Sequence, residues 1–472
     1  MKKFNVILAT DQTGGFGLDG QLPWNLEKDH EYFKSITKTH SILPEINLAD
    51  NILIAGRKTW ESMGCKPLPG RITLVVTSQW EEFEKSHGSS QIKFFPTFFS
   101  AYQNAIANTN SDIWVIGGKQ IYDAALRHWA CNQVYWTKVC GTFKTDVSIN
   151  MTSYPINWTN KIISNDIDLN TGINYLLEFY QGTYIPNIES EYLGMLYDVI
   201  ISGESRQTRN AVTLSKFNKT LTCDLTQGFP LLTTKKMFWK GIVEELLFFI
   251  RGETDSTKLS AQGIKIWEPN TSREFLDSLG LPYKPGCMGP MYGYQWRHWG
   301  KPFLETVGNS ITDIDQLAQV IHEIKTDPNS RRILMTDFNP SQVSQGVLYP
   351  CHSIVMQFYV THGKLSCMMY QRSGDCFIGI PFNIASTALL IHIISKLTGL
   401  EPGFLHLVLG DYHIYDSHVV QVYEQLERVP LDFPKLVLPD FTSLDQVEKS
   451  TWVDYQLVDY QASPAIKAQM IA

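Results

Sequence analysis

The stretch 348–373, LYPCHSIVMQFYVTHGKLSCMMYQRS, decides how the second half of the chain is read. Residues 353–373 are rich in β-branched, aromatic and other apolar side chains and read as strand. A lone cysteine, Cys351, stands between a proline and a histidine at the mouth of that run. Its thiol has four readings: core packing, metal ligand, disulfide partner or nucleophile.

Outward from it, RRILMTDFN and FLHLVLGDYHIYDSH supply further strands, and IASTALLIHIISKLTG a helix ending at Gly399. Ile242, Leu246, Phe249 and Ile250 share one helical face, as do Ile311, Ile314, Leu317, Ile321 and Ile324. This texture is that of an α+β domain beginning at ESEYLGMLYDVIISGE. Upstream the pattern differs. FNVILAT, NILIAG, ITLVVTS, DIWVIGG, NQVYWTKV and INYLLEFY read as strands, with helices at EKDHEYFKSIT, KTWESM, TFFSAYQNA and KQIYDAALRH. Strands alternating with helices give an α/β domain with a largely parallel sheet, and the last two strands, adjacent in sequence, add an antiparallel edge. QGTYIPN is a short Gly/Pro-marked junction.

At 472 residues the chain exceeds one ordinary domain. A net charge of -7 and a pI near 6.0 argue against bulk attraction to nucleic acid. The N-terminal apolar run is too short and broken for a signal peptide, and no uninterrupted run of about 18 apolar residues is present. A soluble, cytoplasmic protein is expected. The eight cysteines contain no C-x-x-C pair, so neither a disulfide framework nor a zinc site is expected, and no metal. Most are read as small buried hydrophobes.

In the first half, Asp29 opens a helical pattern after Pro23 and Trp24, either as a dipole-stabilised helix-start carboxylate or as an acid facing a pocket. AGRKTWESM and WVIGGKQIY each place small or basic residues between a strand and a helix, where phosphates bind readily. Together, with GFGLDGQLPWN, these motifs resemble dihydrofolate reductase over residues 4–180. The resemblance implies that Asp29 holds the pterin and promotes N5 protonation, oriented by Thr137, with Ala9, Phe33, Met63 and Ile116 lining the pterin and nicotinamide site and Arg71 gripping the folate α-carboxylate. It implies NADPH as cofactor, bound by Ala9, Gly17, Leu22, Gly56, Arg57, Lys58, Thr59, Thr77, Ser78, Gly117, Gly118 and Tyr122. An Arg near the adenosine ribose favours NADPH over NADH.

In the second half, FPLLTTKK, EELLFFIRGET, GPMYGYQWRHWG, DPNSRR, YPCH, YQRSGD, PFNIAS, GDYHIY and SPAIK follow in one order, and the whole resembles thymidylate synthase across residues 189–472. The chemistry explains the residue types. Pyrimidine C5 is a poor nucleophile, and a thiolate added at C6 makes it an enolate carbon able to attack a one-carbon donor. The resemblance makes Cys351 that nucleophile, with cationic Arg372 favouring its thiolate. Neighbouring strand residues point to opposite faces, so His352 is not simply its base.

The dUMP phosphate falls by the same resemblance to Arg209, Arg331, Arg332, Arg372 and Ser373, with Arg331 and Arg332 reaching from the partner of a homodimer formed through the synthase half. Glu245, at the edge of an apolar arc, is either a satisfied core acid or a proton-transfer group. The resemblance favours the second, networked with Tyr292 and His352. The Asn383 amide matches the donor–acceptor pattern of uracil. The resemblance further implies that Asp375 contacts base or folate, and His413 and Tyr415 the deoxyribose hydroxyl. Lys235, Phe238, Ile266, Trp267, Asn270, Phe382 and Ala472 fall to the 5,10-methylenetetrahydrofolate site.

The two halves in this order resemble the bifunctional dihydrofolate reductase–thymidylate synthases: a reductase at 1–181, a linker at 182–188 and a synthase at 189–472. Neither a membrane nor nucleic acid is expected as partner. Departures from the family pattern are His30, the insertion-like 37–50, the short QTRNAVTLS loop that leaves Arg206 as the alternative to Arg209, and Cys287, Met288 and Ser463. A folate-binding scaffold with dead sites would have lost Cys351, Asp29 or Arg372, and all three are present.

Overall fold

The apolar runs of the first half become the strands of one sheet. The computed structural model describes residues 2–38, 50–107, 111–208, 211–303 and 313–471. Arg209, Ala472 and most of the 37–50 stretch lie outside them. Residues 1–186 with 426–429 form one compact unit, and 187–425 with 430–472 the other.

Among the described residues of the first unit, eight strands lie in the order Ile92–Phe95, Arg71–Val76, Asn51–Gly56, Ile113–Gly117, Phe4–Asp11, Cys131–Cys140, Asn174–Tyr184, Ile156–Ile167. The first six pair in parallel and the last two antiparallel, so the α/β reading with an antiparallel edge holds. The outermost strand, Ile156–Ile167, and the helix Trp80–His87 escape the sequence pattern. Helix Glu27–Thr37 packs its Phe33 and Ile36 on Ile7, Leu53, Ala55, Trp114 and Ile116 of the sheet. A second cluster, Trp24, Leu26, Val139, Leu177 and Phe179, holds the start of that helix. Asp29, in its first turn, is thereby set between two apolar clusters.

The stretch 182–188 contains the end of strand Asn174–Tyr184, three connecting residues (185–187) and the first residue of helix Ile188–Ser202. In the second unit six strands run in the order Glu204–Gln207, Val212–Asp224, Glu401–Tyr415, Lys364–Asp375, Val355–Thr361, Leu334–Met335. Only Lys364–Asp375 and Glu401–Tyr415 are parallel, and helix Gly379–Thr398 bridges them and packs on both. By length and composition this helix could cross a membrane, yet it is mostly buried in this unit and ends at Gly399 in the left-handed conformation.

One sheet face, with Met356, Phe358, Cys367, Met369, Leu405 and Leu407, is fully buried. The other carries Leu334, Tyr359 and Phe404 at 46%, 63% and 42% exposure. Two readings are corrected. RRILMTDFN shrinks to the two-residue strand Leu334–Met335, because the flanking backbone turns away from the ladder. The helix expected to carry Ile311 and Ile314 starts at Gln316. Asp315 caps it through the Ala318 N–H at 2.9 Å, and Ile314 instead bridges Trp299. Ile311 lies outside the described residues.

Candidate active sites

The first unit contains a cleft of about 1450 Å³ whose walls come from the carboxyl ends of the parallel strands and the loops after them. Asp29 faces it from the helix, 7% exposed and hydrogen-bonded by the Thr137 side chain. Burial pushes its carboxyl above the ordinary 3.8, against the Thr137 bond that favours the charge.

Ala9, Gly17, Leu22, Phe33, Gly56, Arg57, Lys58, Thr59, Met63, Thr77, Ser78, Ile116, Gly118, Tyr122 and Thr137 also line the cleft. Gly117 and Arg71 do not. Gly117 supports the wall from behind, since a Cβ there would sit 2.9 Å from the Tyr122 ring at a φ of +111°. Arg71 is 4% exposed, donates to Thr37 Oγ1 at 3.0 Å and lies over the Phe33 ring, with no carboxylate partner among the described residues. Its guanidinium stands 6.0 Å from the centre of Phe33, a ring of the cleft wall.

The fit to a dinucleotide is read from the walls. Helices Arg57–Ser62 and Lys119–Ala125 open into the cleft behind Gly56 and Gly118 without side-chain caps, leaving backbone N–H groups for phosphate oxygens. Arg57, Lys58 and Lys119 supply positive charge. The lining also includes Phe16, Trp24, Asn25, Asp146, Ser148 and Asn170, which sequence reasoning did not assign. Two contacts explain their presence: Gly15–Gly17 pairs with Val147–Ser148, and the Asp19 N–H donates to Asp146 Oδ2 at 3.1 Å.

In the second unit Cys351 lies half-buried at the end of the strand Lys364–Asp375, whose Arg372 N–H donates to its carbonyl at 2.8 Å. The Arg372 guanidinium clasps the Cys351 turn: Nε donates to Pro350 O at 3.1 Å, Nη2 to Tyr349 O at 3.4 Å, and Nη2 stands 3.8 Å from Sγ. The cation expected beside the thiol is there.

Tyr292 donates no charge to this site: burial holds its phenol protonated, and its Oη accepts the Cys351 N–H at 3.3 Å. It takes a positive φ of 43° at the start of helix Gly293–Arg297, followed by a glycine whose Cβ would strike Phe249 O at 2.2 Å. The His352 ring stacks on Tyr292 at 4.5 Å, and desolvation pulls its pKa down to about 4, so it is neutral near pH 7. Glu245 accepts from Trp267 Nε1 at 2.9 Å, and burial raises its pKa from 4.5 to about 7. Its neighbour Glu244 instead accepts the Trp452 N–H at 2.8 Å.

Asn383 is buried, with Oδ1 accepting from Gln371 Nε2 at 3.0 Å. Register sets Ser373 against Asp411 and Asp375 against His413. Asp411 accepts from Arg206 at 2.9 Å and is bonded to His413 Nδ1 at 2.8 Å. Tyr415 packs edge-on to His413. Trp267 and Asn270 are buried, Phe238 is 44% exposed, and Ile266 and Phe382 are half-buried. Lys235 is buried, donating to the Phe377 carbonyl with its ammonium over that ring. Arg331 and Arg332 are exposed, and among the described residues neither side chain has an ion-pair or hydrogen-bond partner.

A thymidylate synthase family model matches residues 190–472 and a dihydrofolate reductase family model residues 3–181. Proteins named bifunctional dihydrofolate reductase-thymidylate synthase are similar along the whole length. The one from Paramecium tetraurelia is 39% identical, with 99% of each chain covered. Those from Zea mays and Leishmania major are each 35% identical, covering 99% and 100% of this chain and 97% and 95% of theirs. The chain belongs to the bifunctional dihydrofolate reductase–thymidylate synthases. Gln371, Asp411 and His418 are buried or half-buried polar residues beside the assigned ones that sequence reasoning did not assign. Gln371 stood inside the quoted motif YQRSGD, and Asp411 inside GDYHIY.

Proposed function

We propose that this chain methylates dUMP to dTMP at Cys351, giving dihydrofolate, and reduces dihydrofolate to tetrahydrofolate with NADPH at Asp29. The domain assignment is 1–181 for the reductase, 182–188 for the linker and 189–472 for the synthase. The observation that carries the reading is the Arg372 cation 3.8 Å from the Cys351 sulfur.

At the synthase site the Cys351 thiolate forms a bond to pyrimidine C6. The C5=C6 electrons move into the enolate, and C5 attacks the methylene carbon of methylenetetrahydrofolate as its C–N10 bond breaks. C5 then loses its proton as the remaining C–N5 bond breaks, leaving an exocyclic methylene and tetrahydrofolate. Hydride transfer from that tetrahydrofolate makes the methyl group, and the C6–S bond breaks, releasing dTMP, dihydrofolate and the Cys351 thiolate. Arg372 stabilises the thiolate and, with Ser373, meets the phosphate. Asn383, held by Gln371, reads the uracil edge. Glu245, titrating near pH 7, moves protons around O4, and protonated Tyr292 beside neutral His352 keeps that side of the ring polar but uncharged. Arg209 completes the phosphate set, and Arg206 is its alternative, already spent on Asp411.

At the reductase site NADPH supplies a hydride when bound. Arg57, Lys58, Thr59, Ser78, Gly56 and Gly118 hold its phosphates. Asp29 accepts the pterin N–H groups, and burial, by raising its pKa, favours the proton-holding form that the reduction draws on. Arg71 meets the folate α-carboxylate.

The chain acts as a homodimer. Its support is the sheet face of Leu334, Tyr359 and Phe404, too apolar to stand in water, and the unpartnered Arg331 and Arg332 on the segment entering that face. Eight free thiols, one of them nucleophilic, suit a reducing compartment, and the cytoplasm is the proposed location. The test is one cuvette with dUMP and methylenetetrahydrofolate, then NADPH. Absorbance rises as dihydrofolate forms and falls when NADPH is added. A rise without a fall would remove the reductase claim, and no rise the synthase claim.

A further inference from the structure

The segment after Asp459 has no regular secondary structure, yet it is anchored. The Ser463 N–H donates to Thr233 O at 2.8 Å, and near the end of the described chain Gln469 O lies 2.8 Å from His418 Nε2. A carbonyl only accepts, so Nε2 is the donor of this contact, and Nδ1 is the other ring nitrogen.

That Nδ1 is buried without a hydrogen-bond partner and points toward Asp375 Oδ1 at 4.0 Å. The His418 side chain is 1% exposed. Asp375 Oδ1 already accepts the Phe377 and Ile378 N–H groups at 2.8 and 3.2 Å. Phe377 lies between His418 and the Lys235 ammonium, so the same ring borders both.

We propose that His418 is a positioning residue that couples the seating of the C-terminal segment to the Asp375 end of the synthase site. Its Nε2–H latches the Gln469 carbonyl, and its rigid ring passes the position of that latch to Asp375 and Phe377. The proposal deepens the folate-binding reading given above and rests on it. The assignment of Ala472 to the cosubstrate site sets this segment beside that site, so loosening the latch is expected to weaken cosubstrate binding more than it slows chemistry.

The experiment uses the full chain with His418→Phe, His418→Gln, a chain ending at Ala468, and that truncation combined with His418→Phe. Two readouts are taken: KM and kcat for methylenetetrahydrofolate, and the rate at which carboxypeptidase trims the ligand-free protein. His418→Phe keeps the ring and loses the donor. It is expected to raise KM about 5- to 10-fold, the worth of one buried hydrogen bond, with a smaller change in kcat, and to speed trimming comparably.

His418→Gln, whose amide reaches the Nε2 position, restores both to within about threefold of the parent, and in the truncated chain His418→Phe adds nothing. Equal trimming of parent and His418→Phe, or additive effects in the truncated chain, would overturn the latch. Should the parent make no dTMP, the functional reading fails while the trimming rates still decide the latch. Thermal unfolding of each variant, read in parallel, reports that its synthase unit is folded.

Discussion

The cleft around Asp29 and the site around Cys351 differ in how much of their expected machinery one unit brings together. Around Asp29 nearly every assigned residue lines a single cleft, and the acid's key hydrogen bond, from Thr137, is already made. Around Cys351 the thiol and its cation are in place, but among the described residues the Arg331 and Arg332 side chains have no partner, and Asn270 Nδ2, Gln371 Oε1 and His418 Nδ1 are buried without a hydrogen bond. A site that one chain completes can be rigid before its ligand arrives. In the homodimer proposed above, the Cys351 site is shared between two chains, and its loose ends are ones that substrate and partner would satisfy.

The sharpest way to separate the two is to remove the nucleophile. Cys351→Ala should lower dTMP formation at least about 10⁴-fold and leave NADPH-dependent dihydrofolate reduction unchanged, both read by absorbance. Asp29→Asn should do the reverse, lowering reduction about 10²- to 10³-fold at pH 7. Because the raised pKa of Asp29 supplies a proton, the parent's rate should fall as pH climbs above that pKa. The variant should recover part of its loss as the medium becomes acidic. A loss of reduction that is flat with pH would mean Asp29 only orients the pterin.

Incompleteness within one chain predicts complementation. Arg331→Ala with Arg332→Ala should raise the KM for dUMP about 10- to 100-fold per lost contact. Mixed and reassorted with Cys351→Ala, it should regain about a quarter of the parent activity, because half the dimers pair the two variants and each then holds one intact site. No regain on mixing would make the site the property of a single chain.

What the sequence made legible follows the same division. The helix bearing Asp29 was read with its bounds intact, because a strong apolar face and an acidic first turn mark Glu27–Thr37. The lip of that cleft was not. Asn170 follows Ile156–Ile167, a strand largely exposed on both faces and so lacking the alternation that identifies strands, and Asp146 joins the wall only through pairing with the distant Gly15–Gly17 loop. In the synthase half the proximity of Cys351 and Arg372 was legible because both sit in residue-specific motifs. The His418–Gln469 contact was not, because it joins positions 51 apart with no periodicity between them.

Glu245 lets the comparison be read as stability. The folded chain binds its proton with a pKa near 7, against 4.5 when unfolded, so stability is highest below pH 4.5 and falls as pH rises toward 7. Over the whole window this amounts to about 3 kcal/mol. Glu245→Gln should remove that slope, seen as a Tm gap over the parent that widens between pH 5 and pH 8, while lowering kcat for dTMP about 10²-fold. An unchanged gap would mean that Glu245 is charged when buried, and would deny it the proton it is asked to move.

Asp337 is the smallest test and runs in the opposite direction. It is 1% exposed, neither carboxyl oxygen has a hydrogen bond, and burial drives its pKa well above 3.8. Only its backbone N–H is engaged, to Ser353 O at 3.3 Å, two residues beyond the nucleophile. A buried acid whose carboxyl has no hydrogen bond among the described residues is a burden on the fold, so Asp337→Ala should stabilise the synthase unit by about 1–3 kcal/mol, the desolvation of one unpaired polar group. Thermal unfolding of the full chain measures it, with kcat for dTMP as the second reading. A higher Tm with unchanged kcat makes Asp337 a tolerated misfit behind Tyr292. A higher Tm with a lower kcat places it with the other loose ends of this half, a group left unsatisfied in the free protein because the working site needs its proton.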